Sequence, residues 1–255
     1  MPRVMPIIAQ SLVHVAGSVI GRHRHGHGQL AVVTAGTMTV LTEAGWWLAP
    51  PGRGIWVPSE TDHSACYSES SALIQLLMDP ALTSSICGQC RAIAVSPLLR
   101  ELADEAVRLG TGLAGEEADM IARLVVCQMA RSGDGPVLFV PHGRDRRLRR
   151  VIDRLRLDPG LDLSLDQLAK AAGSSPRTMA RLFVAETGLT FGQWREHLRA
   201  VAAVDRLTRG ASITQTALDL GYQSPSSFTT MFTRLLGLSP GRYMKQMGER
   251  AVPLR

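Results

Sequence analysis

The sequence predicts a two-domain α+β protein, with a strand-rich N-terminal domain and an all-helical C-terminal domain. Three observations predict it. Short runs of aliphatic, β-branched and aromatic residues, punctuated by Gly, Pro, Ser and Asp, fill residues 7–77. Helical spacing replaces them after Ser96-Pro97 and becomes continuous from Arg146. The charge also changes sign: residues 1–141 hold 9 Lys+Arg against 12 Asp+Glu, a balance of −3, and residues 142–255 hold 19 against 10, a balance of +9. At 255 residues and 45% apolar content the chain has enough material for two packed cores. No run approaches the roughly 18 apolar residues of a membrane span, and the N-terminus lacks the long apolar stretch of a secretory signal. No membrane partner and a cytoplasmic location are therefore expected.

The N-terminal elements read in order. LAVVTAGTMTVLT (30–42), GWWLAP (45–50), GIWVPS (54–59) and SALIQLLM (71–78) are strand candidates, with the turn PPGRG (50–54) between two of them. This rhythm fits an antiparallel sandwich or small barrel. Just before the first run stands HRHGHGQL (23–30), where alternation on a strand places His23, His25 and His27 on one face. Imidazole is the commonest metal ligand among side chains, so the stretch raises a metal site, a sensing pocket, or histidines with a structural role only. Cys87-Gly-Gln-Cys90 has a spacing used by zinc and redox sites. No second pair accompanies it, and two small half-buried thiols, reduced in the cytoplasm, are the plainer reading.

Ser96-Pro97 opens a helix as N-cap and first helical residue, and Gly110–Gly115 ends it. A second helix is expected over roughly 116–131. SGDGPVLFVPHGRD (132–145) reads as a linker with a short strand inside, because its glycines and prolines prevent a continuous helix. The boundary falls near 140–146, giving domains of 1–140 and 146–250.

The basic domain contains a repeat. SLDQLAKAAGSSPRTMARLF (164–183) and SITQTALDLGYQSPSSFTTMF (212–232) each begin with Ser followed three residues later by Gln, a capping-box pattern. Each then carries apolar or small residues at helical spacing and reaches Gly173 or Gly221, suited to a left-handed helix end. Ser175-Pro176 and Ser224-Pro225 restart a helix, with apolar anchors Met179, Leu182, Phe183 and Phe228, Met231, Phe232. Helix, tight turn and second helix is the helix-turn-helix plan, here expected at about 165–186 and 213–236. A lone copy is weak evidence against an ordinary helical bundle; two copies in a segment of balance +9 point to a polyanion, double-stranded DNA.

Residues 146–246 resemble the AraC/XylS family of bacterial transcription regulators. The resemblance rests on the first helix-turn-helix, the connecting helix TFGQWREHLRAVAAVDRLTRG (190–210) and ALDLGYQSPSSFTTMFTRLLGLSPGRYMK (217–245). It implies two helix-turn-helix units, joined by one long helix, that present recognition helices to successive major grooves of a promoter or operator. The family's base-reading positions fall on Arg177, Ala180 and Arg181 in the first unit and on Ser226, Ser227 and Thr230 in the second. Arginine can take guanine bidentately, whereas Ala180 and the short hydroxyls reach little, so the first unit is expected to supply most discrimination. Arg195, Arg234 and Arg242, with the arginines of 144–150, read as phosphate-contacting or solvated.

In many members of that family the N-terminal domain is a cupin-like β-barrel, and His23-x-His25, Gln29-Leu30, Gly36, Pro58 and His63 look like it. Fold class is thus a cupin-like barrel with packed helices, joined to an all-α DNA-binding domain. The resemblance implies an effector pocket at His23, His25, Gln29, Trp56 and His63, with Trp46 and Trp47 either lining it or lying in the core. His23, His25 and His63 would suffice to bind zinc, iron or nickel, but Gln29 replaces the glutamate that metal-binding cupins usually carry, and an amide is a poorer ligand than a carboxylate. Three functions stay open at this point. They are a regulator answering a small organic effector without a required cofactor, a regulator answering a divalent metal, and a metal-dependent cupin enzyme, against which both Gln29 and the paired helix-turn-helix speak. A second copy of the chain and RNA polymerase are further candidate partners.

Overall fold

The computed structural model describes residues 6–86, 88–110, 115–132 and 138–250, the side chains of 249 and 250 excepted. The chain forms two compact units. One comprises Met1–Thr42, Ala49–Val137 and Gln246–Arg255, the other Glu43–Leu48 and Leu138–Lys245.

The N-terminal strands run β1 (Ile7–His14), β2 (Val19–His23), β3 (Gly28–Ala35), β4 (Met38–Thr42), β5 (Gly45–Ala49), β6 (Arg53–Val57), β7 (His63–Cys66), β8 (Ser71–Met78) and β9 (Arg91–Ala94). Helix α1 (Pro80–Thr83) precedes β9, and α2 (Pro97–Leu109) and α3 (Glu116–Arg131) follow it. One sheet is ordered β1-β8-β3-β6-β9, and β7 is flanked by β4 and β2 in the other. All these pairs are antiparallel. Pairing of first with eighth, third with sixth and second with seventh strands is the folded-back order of a jelly roll, the architecture of cupins.

Period two in the strands decides what each face of the first sheet buries. Leu30, Val32, Trp56, Ile74 and Leu76 share a core with Leu99, Leu102 and Ala106 of α2 and Ile121, Val125 and Met129 of α3. The alternate positions Gln29, Ala31, Ile55, Val57 and Leu73 are buried on the opposite face. Helix α2 starts as its sequence requires, with the Ser96 hydroxyl accepting from the Leu99 amide at 3.1 Å.

The second unit carries a short ladder and the described helices α4 (Arg146–Leu157), α5 (Leu165–Ala171), α6 (Pro176–Thr187), α7 (Phe191–Thr208), α8 (Ile213–Asp219) and α9 (Pro225–Leu236), with the first part, up to Lys245, of α10 (Pro240–Arg250). Strand β10 (Phe139–Pro141) is the short strand expected within the linker. It pairs with β5, Phe139 opposite Trp47 and Val140 opposite Trp46. The Trp47 ring stacks on Phe139 at 4.0 Å, and Trp46 meets Trp194 edge-on at 6.2 Å with the Arg156 guanidinium 5.6 Å over its ring. Trp46 and Trp47 thus belong to the packing of this helical unit. Trp194 is fully buried and its indole N–H donates to the Pro141 carbonyl.

Helix α7 is 18 residues long, about 27 Å at 1.5 Å per residue, and packs against α6, α8 and α9. Its start is fixed by a full capping box between Thr190 and Gln193, a signal the reading of the repeat passes over.

Candidate functional site

Two sites come from these elements, one in each unit. In the helical unit the repeat folds as two helix-turn-helix pairs, α5–α6 and α8–α9. Leu168, Ala169, Met179 and Phe183 pin the first pair, and Thr216, Ala217, Phe228, Met231 and Phe232 pin the second. Gly173 and Gly221 take φ of +72° and +74° in the turns, where a side chain is disfavoured. Ser175 and Ser224 cap the second helix of each pair by accepting from the amides of Thr178 and Ser227.

The pairs differ in detail. Ser164 and Gln167 complete a reciprocal capping box, whereas Gln215 turns away from Ser212 and donates to Asp219 at 2.6 Å. The second pair is buttressed by Arg199, which is 7% exposed, donates to the Pro159 carbonyl and lies 5.2 Å over the Tyr222 ring.

The residues singled out as base-reading are all exposed: Arg177, Ala180 and Arg181 on α6, and Ser226, Ser227 and Thr230 on α9. Spacings of three and four place Arg177, Ala180 and Arg181 on one face, away from the buried Met179 and Phe183. Neither Arg177 nor Arg181 has an ion pair or hydrogen bond among the described residues. Two of the α9 hydroxyls are occupied: Ser227 Oγ bonds Ser224 Oγ at 2.9 Å, and Thr230 Oγ1 donates to the Ser226 carbonyl at 3.0 Å.

The three arginines assigned to the phosphate backbone separate. Arg242 is exposed and uncommitted among the described residues. Arg195 is half-buried, donates to the Leu163 carbonyl and lies 5.0 Å over the Phe191 ring. Burial, helped by the neighbouring Arg199, lowers its pKa from the usual arginine value. Arg234 pairs with Glu196 at 2.7 Å. Both are engaged with neighbours inside this unit, which spacing alone does not reveal.

The second site is in the jelly roll. Strand β2 ends at His23, so the histidines do not share one continuous strand. His23 stands opposite His63 of β7 in the ladder, their rings 4.3 Å apart. His25 lies in the following turn, its ring 5.0 Å from that of His63 and 5.9 Å from that of His23. One ring nitrogen from each of His23, His25 and His63 lies within 4.8 Å of the other two. His27 stays outside this group; its carbonyl accepts from His25 Nδ1 at 2.7 Å.

Gln29 on β3 completes the group, its side-chain oxygen 2.8 Å from His25 Nε2. Trp56 does not. It pairs with Leu30, not Gln29, so the pleat turns its ring to the helix-covered face, where it is 2% exposed. Gly28 makes room for it: a Cβ there would stand 2.1 Å from the indole. The buried His63 has its pKa lowered, by burial first and then by the two neighbouring imidazoles, against the raising effect of its bond to Thr61. Arg22–Asp62 and Arg24–Glu60 ion pairs ring the exposed side.

Cys87 lies outside the described residues. Burial pushes the Cys90 thiol up to about 12, so it is no thiolate at neutral pH and a poor nucleophile or ligand.

Comparison with known proteins gives the same two parts. The family model of the AraC-like ligand binding domain matches residues 9–126, and that of a helix-turn-helix domain matches residues 168–246. The HTH-type transcriptional regulator NimR of Escherichia coli K12 is 31% identical over 228 residues, covering 88% of this chain and 82% of NimR. The HTH-type transcriptional regulator RipA of Corynebacterium diphtheriae is 36% identical over 95 residues, 37% of this chain and 28% of RipA. Among solved structures, the DNA-binding domain of AdpA in complex with a target DNA is 29% identical, covers 42% of this chain and 96% of that one, and has a TM-score of 0.40. No described helix is long and apolar enough to cross a membrane.

Proposed function

Since the chain belongs to the AraC family of transcription regulators, with a ligand-binding domain followed by a helix-turn-helix DNA-binding domain, we propose how it divides recognition between its parts. Helix α6 reads bases, chiefly through Arg177 and Arg181. Helix α9 follows the groove and fixes register, because Ser227 and Thr230 spend their hydroxyls within the helix. The single observation that carries this division is the contrast between two uncommitted arginines on one exposed face and a second face on which the Ser227 and Thr230 hydroxyls are engaged. Arginine to guanine is the commonest specific contact in the major groove.

The effector is taken up in the jelly roll at His23, His25, Gln29 and His63. Binding there alters DNA affinity to the extent that the effector prefers one state of the protein over the other. A second copy of the chain and RNA polymerase are the protein partners this reading requires, and the cytoplasm is where it acts. The relatives are transcription regulators, and no catalytic step forms part of the reading.

A gel-shift series on a selected operator tests it. Arg181→Ala and Arg177→Ala are expected to weaken specific binding and relax sequence preference at single positions. Ser226→Ala and Thr230→Ala are expected to change preference little. Equal losses from both helices would replace the division with shared readout.

A further inference from the structure

Building on the reading of this cluster as the effector site, we propose that its ligand is a divalent first-row transition-metal ion, held by Nε2 of His23, His25 and His63 and by the Gln29 side-chain oxygen. The first argument is the tautomer. His23 Nδ1 lies 2.9 Å from the Gly21 carbonyl, His25 Nδ1 2.7 Å from that of His27, and His63 Nδ1 2.9 Å from that of Thr61. A carbonyl only accepts, so each Nδ1 carries a proton, which in the neutral ring leaves the lone pair on Nε2; at His25 this requires the Gln29 amide to meet Nε2 through its NH₂ group, or an ion between Nε2 and Oε1. Three separate main-chain carbonyls thus set three imidazoles in the same state. An N–H to a backbone carbonyl is the usual outer bond of a metal-ligating histidine.

The second argument is convergence without a donor. One ring nitrogen from each of the three histidines lies within 4.8 Å of the other two, and His63 Nε2 is buried with no hydrogen-bond partner among the described residues. A buried acceptor with no donor is destabilising, and converging lone pairs repel. A cation among them removes both penalties. Metal–nitrogen bonds of about 2.0–2.1 Å need ligand atoms about 3 Å apart, so small ring rotations draw the three nitrogens together. His25 Nε2 and Gln29 Oε1, 2.8 Å apart, already have the spacing of adjacent ligands on one ion.

The third argument is charge. Three neutral imidazoles and a neutral amide leave the ion's two positive charges uncompensated. Asp62 and Glu60 lie near, but each is paired with an arginine. Such a site binds imidazole-preferring ions such as zinc, nickel or cobalt, and releases them more readily than one with a carboxylate. Reversible occupancy suits a signal better than a permanent structural ion.

The test uses the full chain, stripped with a chelator and titrated with Zn²⁺ or Ni²⁺ by calorimetry and with Co²⁺ by visible absorption. One ion per chain is expected. His25→Ala should weaken binding about 100-fold or more and abolish the cobalt bands, His27→Ala should change neither, and Gln29→Glu should tighten binding about tenfold or more. Circular dichroism melts confirm that the variants fold, and His25, being less buried than His63, is the safer substitution. Absence of stoichiometric binding of all three ions overturns the proposal, as does equal weakening by His25→Ala and His27→Ala, or a Gln29→Glu variant that binds no tighter. Gel shifts of the same samples separate this from the reading beneath it. Stoichiometric binding at the cluster with unchanged operator affinity keeps the metal site and removes its role as effector site.

Discussion

Arg181 exposes its guanidinium on the same face of α6 as Arg177 and Ala180, with no partner among the described residues to compete for it. Its replacement by alanine should cost about 1–3 kcal/mol of specific operator binding while non-specific binding falls little. Filter binding against operator and random duplex in parallel would show it, and equal losses on both would mean a phosphate contact instead. Asp145 is a residue whose role is internal. It caps α4, accepting from the Arg147 amide and from the Arg147 guanidinium, and these bonds hold its carboxyl down at about 2. A carboxylate depressed in the folded state stabilises that state fully above its unfolded pKa of about 3.9. That contribution should fade as pH falls from about 4 to about 2. Carboxyl-carbon NMR titration should give a midpoint near 2, and a midpoint near 4 would show that the cap is not formed in solution.

At the scale of elements, the two helix-turn-helix pairs share one plan but not one tolerance. Gly173 and Gly221 have almost the same left-handed φ, so alanine at either meets the same backbone penalty, about 1–2 kcal/mol. A Cβ at 173 has open space, whereas one at 221 would lie 2.7 Å from the Gly160 carbonyl and 2.9 Å from Arg199 Nη2. Gly221→Ala should therefore destabilise clearly more than Gly173→Ala in urea unfolding, and equal midpoints would mean that the 158–161 loop yields freely. The caps should differ as well. Ser164→Ala breaks a reciprocal box, but Ser212→Ala loses one bond, since Gln215 is engaged with Asp219. The first should cost about 1 kcal/mol and the second less.

Over the whole molecule, what the sequence makes legible is what is local. Capping serines, turn glycines and apolar spacing lie within a few residues of the helices they specify, so the repeat and its exposed faces read directly. The strand runs read as well, but their partners do not. That β1 pairs with β8, that His63 stands opposite His23, and that Trp56 and Gln29 part to opposite faces all depend on registers between distant segments. Alternation alone puts His27 with its neighbours, and only the end of β2 at His23 removes it. The surroundings of the arginines expected at the phosphate backbone depend on folding in the same way: Arg195 and Arg234 are indistinguishable from Arg242 until Leu163, Phe191 and Glu196 are folded beside them. That difference has a measurable form. Residues 142–255 carry a balance of +9, and each arginine on a phosphate adds about 0.9 to the steepness with which log K falls against log salt. Arg242→Ala should reduce that slope by about 0.9 with an unchanged Tm. Arg195→Ala should lower Tm, because a hydrogen bond and a ring contact are lost, and leave the slope in place. Arg234→Ala takes away one side of a largely exposed ion pair with Glu196, which adds little stability and in this reading touches no phosphate, so neither quantity should move much. A slope reduced by about 0.9 in Arg195→Ala or Arg234→Ala would show that these side chains leave their internal partners for the DNA backbone on binding.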